Sequence, residues 1–182
     1  MRDRLVFFGP GRAGLSLGYA LWQTGSVAQL TYFGRRPEPP SHPLFTQGLA
    51  DYVFGVDRPP DGTSAVFVTV PDDALVEMAH AVAARGDAPE GCSAFHLSGS
   101  LSTEALTPLH MRGYAVGSMH PLANLAHPVT GADRLSDVVF ALSGEAEAVA
   151  RGRYLVSLLE ARSIQIPVRA RPSYHAAAVM AS

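Results

Sequence analysis

A glycine-rich turn near the N-terminus constrains the fold more than any other feature of this chain. Residues 5–8 are a continuous apolar run, typical of a parallel strand that is buried on both faces. The run leads directly into Gly9-Pro10-Gly11-Arg12-Ala13-Gly14, and residues 12–24 then carry apolar side chains at helical spacing. A G-x-G-x-x-G motif between a buried strand and a helix is typical of a βαβ unit that binds a dinucleotide.

Each glycine of the motif has its own expected role. Gly9 allows the tight turn, Gly11 lets a pyrophosphate approach the backbone, and Gly14 lets the helix pack closely on the strand. The phosphates would then contact the free N–H groups at the helix N-terminus. The alternative is a glycine-rich turn in some other α/β protein.

Strand-like and helix-like segments alternate along the rest of the 182 residues. A proline-rich stretch at residues 37–43 excludes a long helix there. Further strands are expected at residues 30–33, 52–54, 65–70, 93–97, 114–119, 138–142 and 164–166, and helices at residues 72–85, 103–111 and 145–161. This alternation predicts an α/β fold: a doubly wound, mostly parallel Rossmann sheet with helices on both faces.

The composition excludes several classes of function. The formal net charge of −2 gives no electrostatic footprint for nucleic acid or an anionic membrane surface. All 14 basic residues are arginines, which excludes Schiff-base chemistry on lysine, pyridoxal-phosphate anchoring and a P-loop lysine. The single cysteine, Cys92, cannot form an internal disulfide, and no apolar run approaches the ~18 residues of a transmembrane helix. A cytoplasmic protein is therefore expected.

The end of the second predicted strand indicates which dinucleotide would bind. An NAD site has Asp or Glu at this point for the ribose hydroxyls, whereas this chain has Gly34-Arg35-Arg36. A glycine removes the carboxylate that would repel a 2′-phosphate, and arginines can pair with that phosphate bidentately. The pattern predicts NADP(H) as the cofactor and argues against S-adenosylmethionine. The alternative is two solvated loop arginines.

The next two strand ends carry polar residues at the crevice where ligands bind in such sheets. Val70-Pro71-Asp72 ends the fourth strand, and Pro71 would shape the wall of the cofactor site; the alternative is a plain loop with an aspartate cap. Ser98 and Ser100 follow the fifth strand and offer hydroxyls near the expected nicotinamide, Ser98 as a candidate catalytic and cofactor-binding residue and Ser100 as a substrate contact. The alternative is that these serines cap the next helix.

Two histidines are candidate proton donors to a carbonyl that receives hydride. His120 ends the sixth predicted strand and His175 lies near the C-terminus. For each, the alternative is a packed, hydrogen-bonded structural histidine. A metal site is not expected, because no carboxylate or cysteine stands at ligand spacing from His96, His120 or His175.

These motifs occur in the same order as in one known family. The glycine motif, Val70-Pro71-Asp72, residues 96–100, residues 117–122 and residues 174–179 resemble Rossmann-like oxidoreductases that carry a C-terminal helical domain of unknown function. That family is similar to pyrroline-5-carboxylate reductase, ketopantoate reductase and the 6-phosphogluconate dehydrogenase group. The resemblance covers nearly the whole chain, and residues 117–122 and 174–179 are its most specific motifs.

The resemblance implies an NADP-dependent reductase or dehydrogenase acting on a small carbonyl or imine. It implies a Rossmann domain over residues 1–168, followed by a linker and the first helix of a helical domain at residues 169–182. That helical domain is expected to form a homodimer and to contribute to the active site. Arg171 stands where relatives usually have lysine, and could anchor an anionic substrate. The chain is expected to bind cofactor but to turn over poorly without that domain. A non-catalytic NADP sensor or scaffold on the same fold is the alternative, since fold does not determine function.

Overall fold

A computed structural model describes residues 2–136 and 138–166 of the protein. The strands are β1 (Asp3–Phe8), β2 (Val27–Gly34), β3 (Asp51–Phe54), β4 (Ala65–Val68), β5 (Ser93–His96), β6 (Ala115–Pro121), β7 (Val139–Gly144) and β8 (Arg162–Gln165). The α-helices are α1 (Arg12–Gln23), α2 (Pro43–Thr46), α3 (Leu75–Ala83), α4 (Thr107–His110), α5 (Thr130–Asp133) and α6 (Ala146–Leu158). Short 3₁₀ turns at Asp72–Ala74 and Thr103–Leu106 precede α3 and α4.

The described strands form one sheet in the order β3-β2-β1-β4-β5-β6-β7-β8. All neighbouring pairs are parallel except β6 and β7, which run antiparallel. The chain builds outward from β1 to β3 and then crosses back to place β4 on the other side of β1. The carboxyl ends of β1 and β4 therefore flank the point where the strand order reverses, which is where such sheets bind ligands.

Two hydrophobic cores cover the two faces of the sheet, because neighbouring residues of a strand point to opposite sides. On β1, Leu5 and Phe7 pack into one core, together with buried residues of α1 and α6. Val6 and Phe8 pack into the other, together with buried residues of α3. The predicted doubly wound, mostly parallel sheet with helices on both faces is thus confirmed.

The described segments depart from the sequence expectations at several places, among them the unexpected short helices α2 and α5. The helix expected at residues 103–111 is divided into a 3₁₀ turn and the four-residue α4, because Pro108 lacks the N–H that a continuous helix would need there. The strand pattern of residues 138–142 also did not reveal that β7 runs antiparallel to β6. The predicted domain boundary at residue 168 lies outside the described residues.

Candidate functional site

The glycine loop lies at the reversal of strand order, directly after β1. Gly9 has a φ of 105°, in the region that favours glycine, and its N–H donates to the Phe33 carbonyl at the end of β2. Helix α1 then begins with Gly11 as its N-cap, and no side chain caps it. The N–H groups of the first turn are therefore open to an anionic ligand, which is what the predicted phosphate site requires.

Thr69, the residue after β4, braces this loop from the neighbouring strand. Its Oγ1 donates to the Gly9 carbonyl at 2.6 Å. A Cβ at Gly14 would lie 2.9 Å from the Thr69 Cβ, and a Cβ at Gly9 would lie 2.9 Å from the Val70 Cγ1. The glycines are thus needed for close packing of the loop on β4, as expected for Gly14 from the sequence, whereas the role of Thr69 was not predicted.

Tyr32 on β2 holds the first turn of α1 from the other side. Its buried hydroxyl donates to the Gly14 carbonyl at 2.9 Å. Its ring also crosses α1 at Gly18, where an added Cβ would lie 3.0 Å from the Tyr32 Cζ. Burial raises the pKa of Tyr32 well above its usual value, so the hydroxyl remains a donor. Contacts from β2 and from the residues after β4 therefore determine where the N-terminus of α1 lies.

The arginines predicted to contact a 2′-phosphate follow β2. Arg35 and Arg36 are exposed, as is Arg12 at the start of α1. Within residues 2–136 and 138–166, none of these three guanidinium groups forms an ion pair with a carboxylate. They remain available to an anionic ligand at the β1–β2 end of the crevice.

A carboxylate and two hydroxyls meet where β4 and β5 end. Asp72 Oδ2 accepts hydrogen bonds from Ser98 Oγ and Ser100 Oγ, each at 2.7 Å. Ser98 Oγ also accepts from the backbone N–H groups of Ser100 and Leu101. Ser98 is therefore engaged in shaping the turn, while the exposed Ser100 hydroxyl donates to Asp72 and also lies 3.1 Å from the Ser98 Oγ.

His120 on β6 lies against the same turn. A Cβ at Gly99 would come within 2.7 Å of the His120 Cε1 and 2.8 Å of its Nε2, so the imidazole covers the Gly99 backbone. The structure thus brings His120 together with the Ser98–Ser100 turn and Asp72. The other two candidates, His175 and Arg171, lie outside the described residues.

The carboxyl edge of the sheet therefore presents one continuous row of predicted site residues. Going along β2, β1, β4, β5 and β6, the row runs from the arginines through the glycine loop to Asp72, the serines and His120. Neighbouring strands lie about 4.8 Å apart, so about 14 Å separates the ends of β1 and β6. Predicted site residues thus lie on both sides of the glycine loop. A ligand whose central pyrophosphate bound at the loop could contact them with both of its ends.

A second cleft, of about 760 Å³, lies at the opposite edge of the sheet, near the start of β5 and β6. Several of its polar side chains engage one another, a neighbouring residue or the backbone. Glu145 lies 3.2 Å from His110 and accepts the Val116 N–H, and Arg151 pairs with Asp3 at 3.2 Å. These contacts engage Glu145 and Arg151, whereas the buried Tyr114 hydroxyl in the same cleft has no hydrogen-bond partner among the described residues.

Two further observations bear on the kind of site. In the described part of the chain, no three histidine, cysteine, aspartate or glutamate side chains lie together as metal ligands would. No helix among the same residues has the length and apolar character needed to cross a membrane.

No protein family profile and no curated protein matches this chain. Solved structures do. A Thermotoga maritima protein matches with a TM-score of 0.72 and 20% identity over 98% of this chain and 63% of its own. A reductive aminase from Aspergillus terreus, in complex with NADPH and ethyl levulinate, has a TM-score of 0.69 and 19% identity over 100% of this chain and 61% of its own.

A pyrroline carboxylate reductase from Plasmodium falciparum with NADP bound also matches, with a TM-score of 0.65 and 11% identity over 98% of this chain and 67% of its own. At these identities the likeness shows the fold, and the resemblance to Rossmann-like oxidoreductases is confirmed at that level. The chain spans somewhat less than two thirds of the Thermotoga maritima protein and of the aminase.

Proposed function

We propose that this chain is the NADP(H)-binding part of an oxidoreductase that transfers hydride between nicotinamide and a small carbonyl or imine. The observation that carries the proposal is the glycine loop at the reversal of strand order, with an uncapped helix N-terminus directed at the crevice. Two proteins of similar fold were solved with NADPH or NADP, which supports the choice of cofactor.

The residues at the site fit such a cofactor. The pyrophosphate would lie on Gly9 to Gly14, where Gly11 leaves room for it and the first turn of α1 offers N–H donors. Val70 and Pro71 would form the wall next to it, because both follow β4 beside the loop. When bound, the cofactor would supply or accept the hydride at its nicotinamide ring.

The preference for NADP(H) rests on the end of β2. Gly34 brings no carboxylate to the ribose position, and the adjacent Arg35 and Arg36 are exposed and without an ion-pair partner among the described residues. A bidentate contact between arginine and phosphate is both charge-assisted and geometrically specific. A 2′-phosphate is the group of the cofactor that these side chains suit.

The nicotinamide and the substrate would lie at the opposite end of the row, near Asp72, Ser100 and His120. His120 is the imidazole there, the type of side chain that often acts as a general acid or base when a carbonyl or imine is reduced. Asp72 orients the two serine hydroxyls. The catalytic assignment to Ser98 and His175, the substrate contact by Arg171 and the homodimer all stay predictions.

Calorimetric titration with NADPH and NADH tests the cofactor. Changing both Arg35 and Arg36 to Ala should weaken NADPH by about ten- to a hundredfold, because a charge-assisted hydrogen bond is worth about 1.5–3 kcal/mol, and should leave NADH nearly unchanged. Arg85→Ala is the matched control, since Arg85 is an exposed arginine beyond the end of α3. Equal losses for the two cofactors would refute the assignment of the 2′-phosphate.

NADPH oxidation with a panel of keto acids and imines tests the reaction. His120→Gln should lower kcat while leaving the Kd for NADPH within about twofold, because the ring lies at the substrate end of the row. Because this chain is expected to turn over poorly by itself, the assay uses a protein that also carries the helical domain, and NADPH binding without turnover by that protein would favour the sensor or scaffold.

A further inference from the structure

The side chain of Tyr52, on edge strand β3, covers Gly34 at the end of β2. A Cβ built at Gly34 would contact the Tyr52 hydroxyl and would lie 2.8 Å from its Cε2 and Cζ. Real Cβ atoms are not found that close to a ring, so any side chain at residue 34 would require the tyrosine to move. Gly34 is therefore required by the packing of β3 on β2, and the same packing excludes a carboxylate at the ribose position.

The Tyr52 hydroxyl also holds the segment that carries the arginines. It donates to the Arg36 carbonyl at 2.7 Å. The Gly55 N–H donates to the Gly34 carbonyl at 2.8 Å, so β3 contacts the end of β2 on both sides of Arg35. Two hydrogen bonds from one strand thus define the path of residues 34–36 in an exposed loop.

The Tyr52 ring is itself held in place. Tyr52 pairs with Tyr32 in the parallel register of β2 and β3, and its ring meets Phe45 edge-on at 5.6 Å between centroids. Moving the ring away from Gly34 would disturb both the aromatic contact and the bond to Arg36. The Tyr52 ring is therefore held where it blocks any side chain at residue 34.

We infer that Tyr52 is a positioning residue that sets the preference of this site for a 2′-phosphorylated nucleotide, and the inference rests on the proposed function. It acts in two ways. Its ring excludes an acidic residue at position 34, which would bind the free ribose hydroxyls of NAD(H). Its hydroxyl holds the Arg36 backbone, and with it the direction in which the two guanidinium groups leave the loop.

The first test is Tyr52→Phe, which removes the hydroxyl but keeps the ring on Phe45. NADPH affinity should fall by about three- to tenfold, the value of one neutral hydrogen bond, while NADH affinity stays unchanged. In the Arg35→Ala/Arg36→Ala background the same change should have no further effect on NADPH, because the tyrosine acts through those residues. Tyr154→Phe, on α6, is the control for loss of a partly exposed tyrosine hydroxyl.

The second test introduces the carboxylate. Gly34→Asp alone should weaken NADPH without improving NADH, because the Tyr52 ring occupies the space of the new side chain. Gly34→Asp/Tyr52→Ala opens that space and should bind NADH about tenfold more tightly than Gly34→Asp does. Thermal unfolding of each variant measures its stability. A loss of stability lowers the affinity for both cofactors alike, whereas a change in specificity alters the ratio of the NADPH and NADH affinities.

The outcomes separate the two proposals. A wild-type protein that binds neither nucleotide, or both equally, overturns the proposed function and this inference with it. A wild-type preference for NADPH that survives Tyr52→Phe unchanged overturns this inference alone, as does a Gly34→Asp variant that binds NADH as tightly as the double variant. A fall in the NADPH-to-NADH ratio in Tyr52→Phe, absent when both arginines are removed, supports it.

Discussion

Replacing Thr69 by valine tests whether β4 determines the shape of the glycine loop. The two side chains have nearly the same volume, but valine places a methyl group where the Thr69 Oγ1 now donates to the Gly9 carbonyl at 2.6 Å. A carbon atom cannot approach an oxygen that closely, so the loop must move away from β4. Gly14 is affected as well, because its Cα packs on the same side chain.

The expected loss of stability follows from these contacts. The lost hydrogen bond contributes about 1 kcal/mol, and leaving the partly buried Gly9 carbonyl without it costs about 1 kcal/mol more. Crowding by the new methyl adds to this, while partial exposure of Thr69 reduces it, so we expect a loss of about 2 kcal/mol. Domains are typically stable by about 5–15 kcal/mol, so the variant should remain folded and its affinity measurable.

Urea unfolding and calorimetric titration with NADPH together provide the assay. Thr69→Val should unfold at lower urea and bind NADPH at least about tenfold more weakly, because the N–H groups at the start of α1 lose their fixed direction. Thr69→Ser is the matched control. It keeps the hydroxyl and loses one methyl, so its stability should fall by at most about 1 kcal/mol and its NADPH affinity should stay close to wild type.

The comparison of the two variants decides the outcome. If valine and serine at position 69 gave the same stability and the same affinity, the hydroxyl would not hold the loop and the reasoning would be refuted. If valine lowered stability without changing affinity, the brace would be structural and the phosphates would bind elsewhere.

Three further predictions concern buried groups elsewhere in the fold. Gly18→Ala should destabilise the protein by about 1–2 kcal/mol, since crowding against Tyr32 outweighs the helix preference of alanine, and most of this loss should vanish in a Tyr32→Phe background, measured as a urea double-mutant cycle. Burial lowers the pKa of His42, whose Nδ1 caps the Leu44 N–H, so its stabilising contribution is complete above about pH 6.5 and is lost as the pH falls through the lowered pKa. Between pH 7 and pH 5, the free energy of unfolding measured in urea should fall less in His42→Asn than in the wild type. An equal fall in the two proteins would contradict this role of His42. Burial also raises the pKa of the Cys92 thiol to about 12, so a thiol reagent at pH 8 should label native protein only as fast as it unfolds; rapid labelling would mean that Cys92 is accessible.

Local patterns in the sequence were sufficient to predict the strand-turn-helix unit and the polar strand ends. Gly9, Gly11 and Gly14 are three residues of one turn, and their spacing alone indicates how that turn folds. Asp72 and Ser98 follow buried strands and His120 lies near the end of another, and parallel strands bring their carboxyl ends to one edge. Their proximity was therefore predictable, while the hydrogen bonds among them were not.

The residues that sequence reasoning missed act across strands. Thr69, Tyr32 and Tyr52 each contact a glycine or its neighbour on another element, and nothing in the local sequence of a strand states which residue of the next strand it will face. The sign that could have found them is the glycine itself. Glycine is unfavourable inside a helix, where Gly18 lies, and in a strand, where Gly34 lies. A glycine at such a position indicates that a large side chain from another element packs against it. In the structure, Tyr32 packs against Gly18 and Tyr52 against Gly34.

The distribution of charge along the carboxyl edge gives the site a direction. The exposed arginines Arg12, Arg35 and Arg36 lie at the β1–β2 end, and Asp72 lies on the other side of the glycine loop. The 2′-phosphate at one end of NADP(H) would be attracted by the arginines and repelled by the Asp72 carboxylate. Only the orientation that places this phosphate at the β1–β2 end satisfies both conditions. In that orientation the nicotinamide would be directed towards Ser100 and His120, which would link the cofactor preference proposed for the end of β2 to the chemistry proposed at β6.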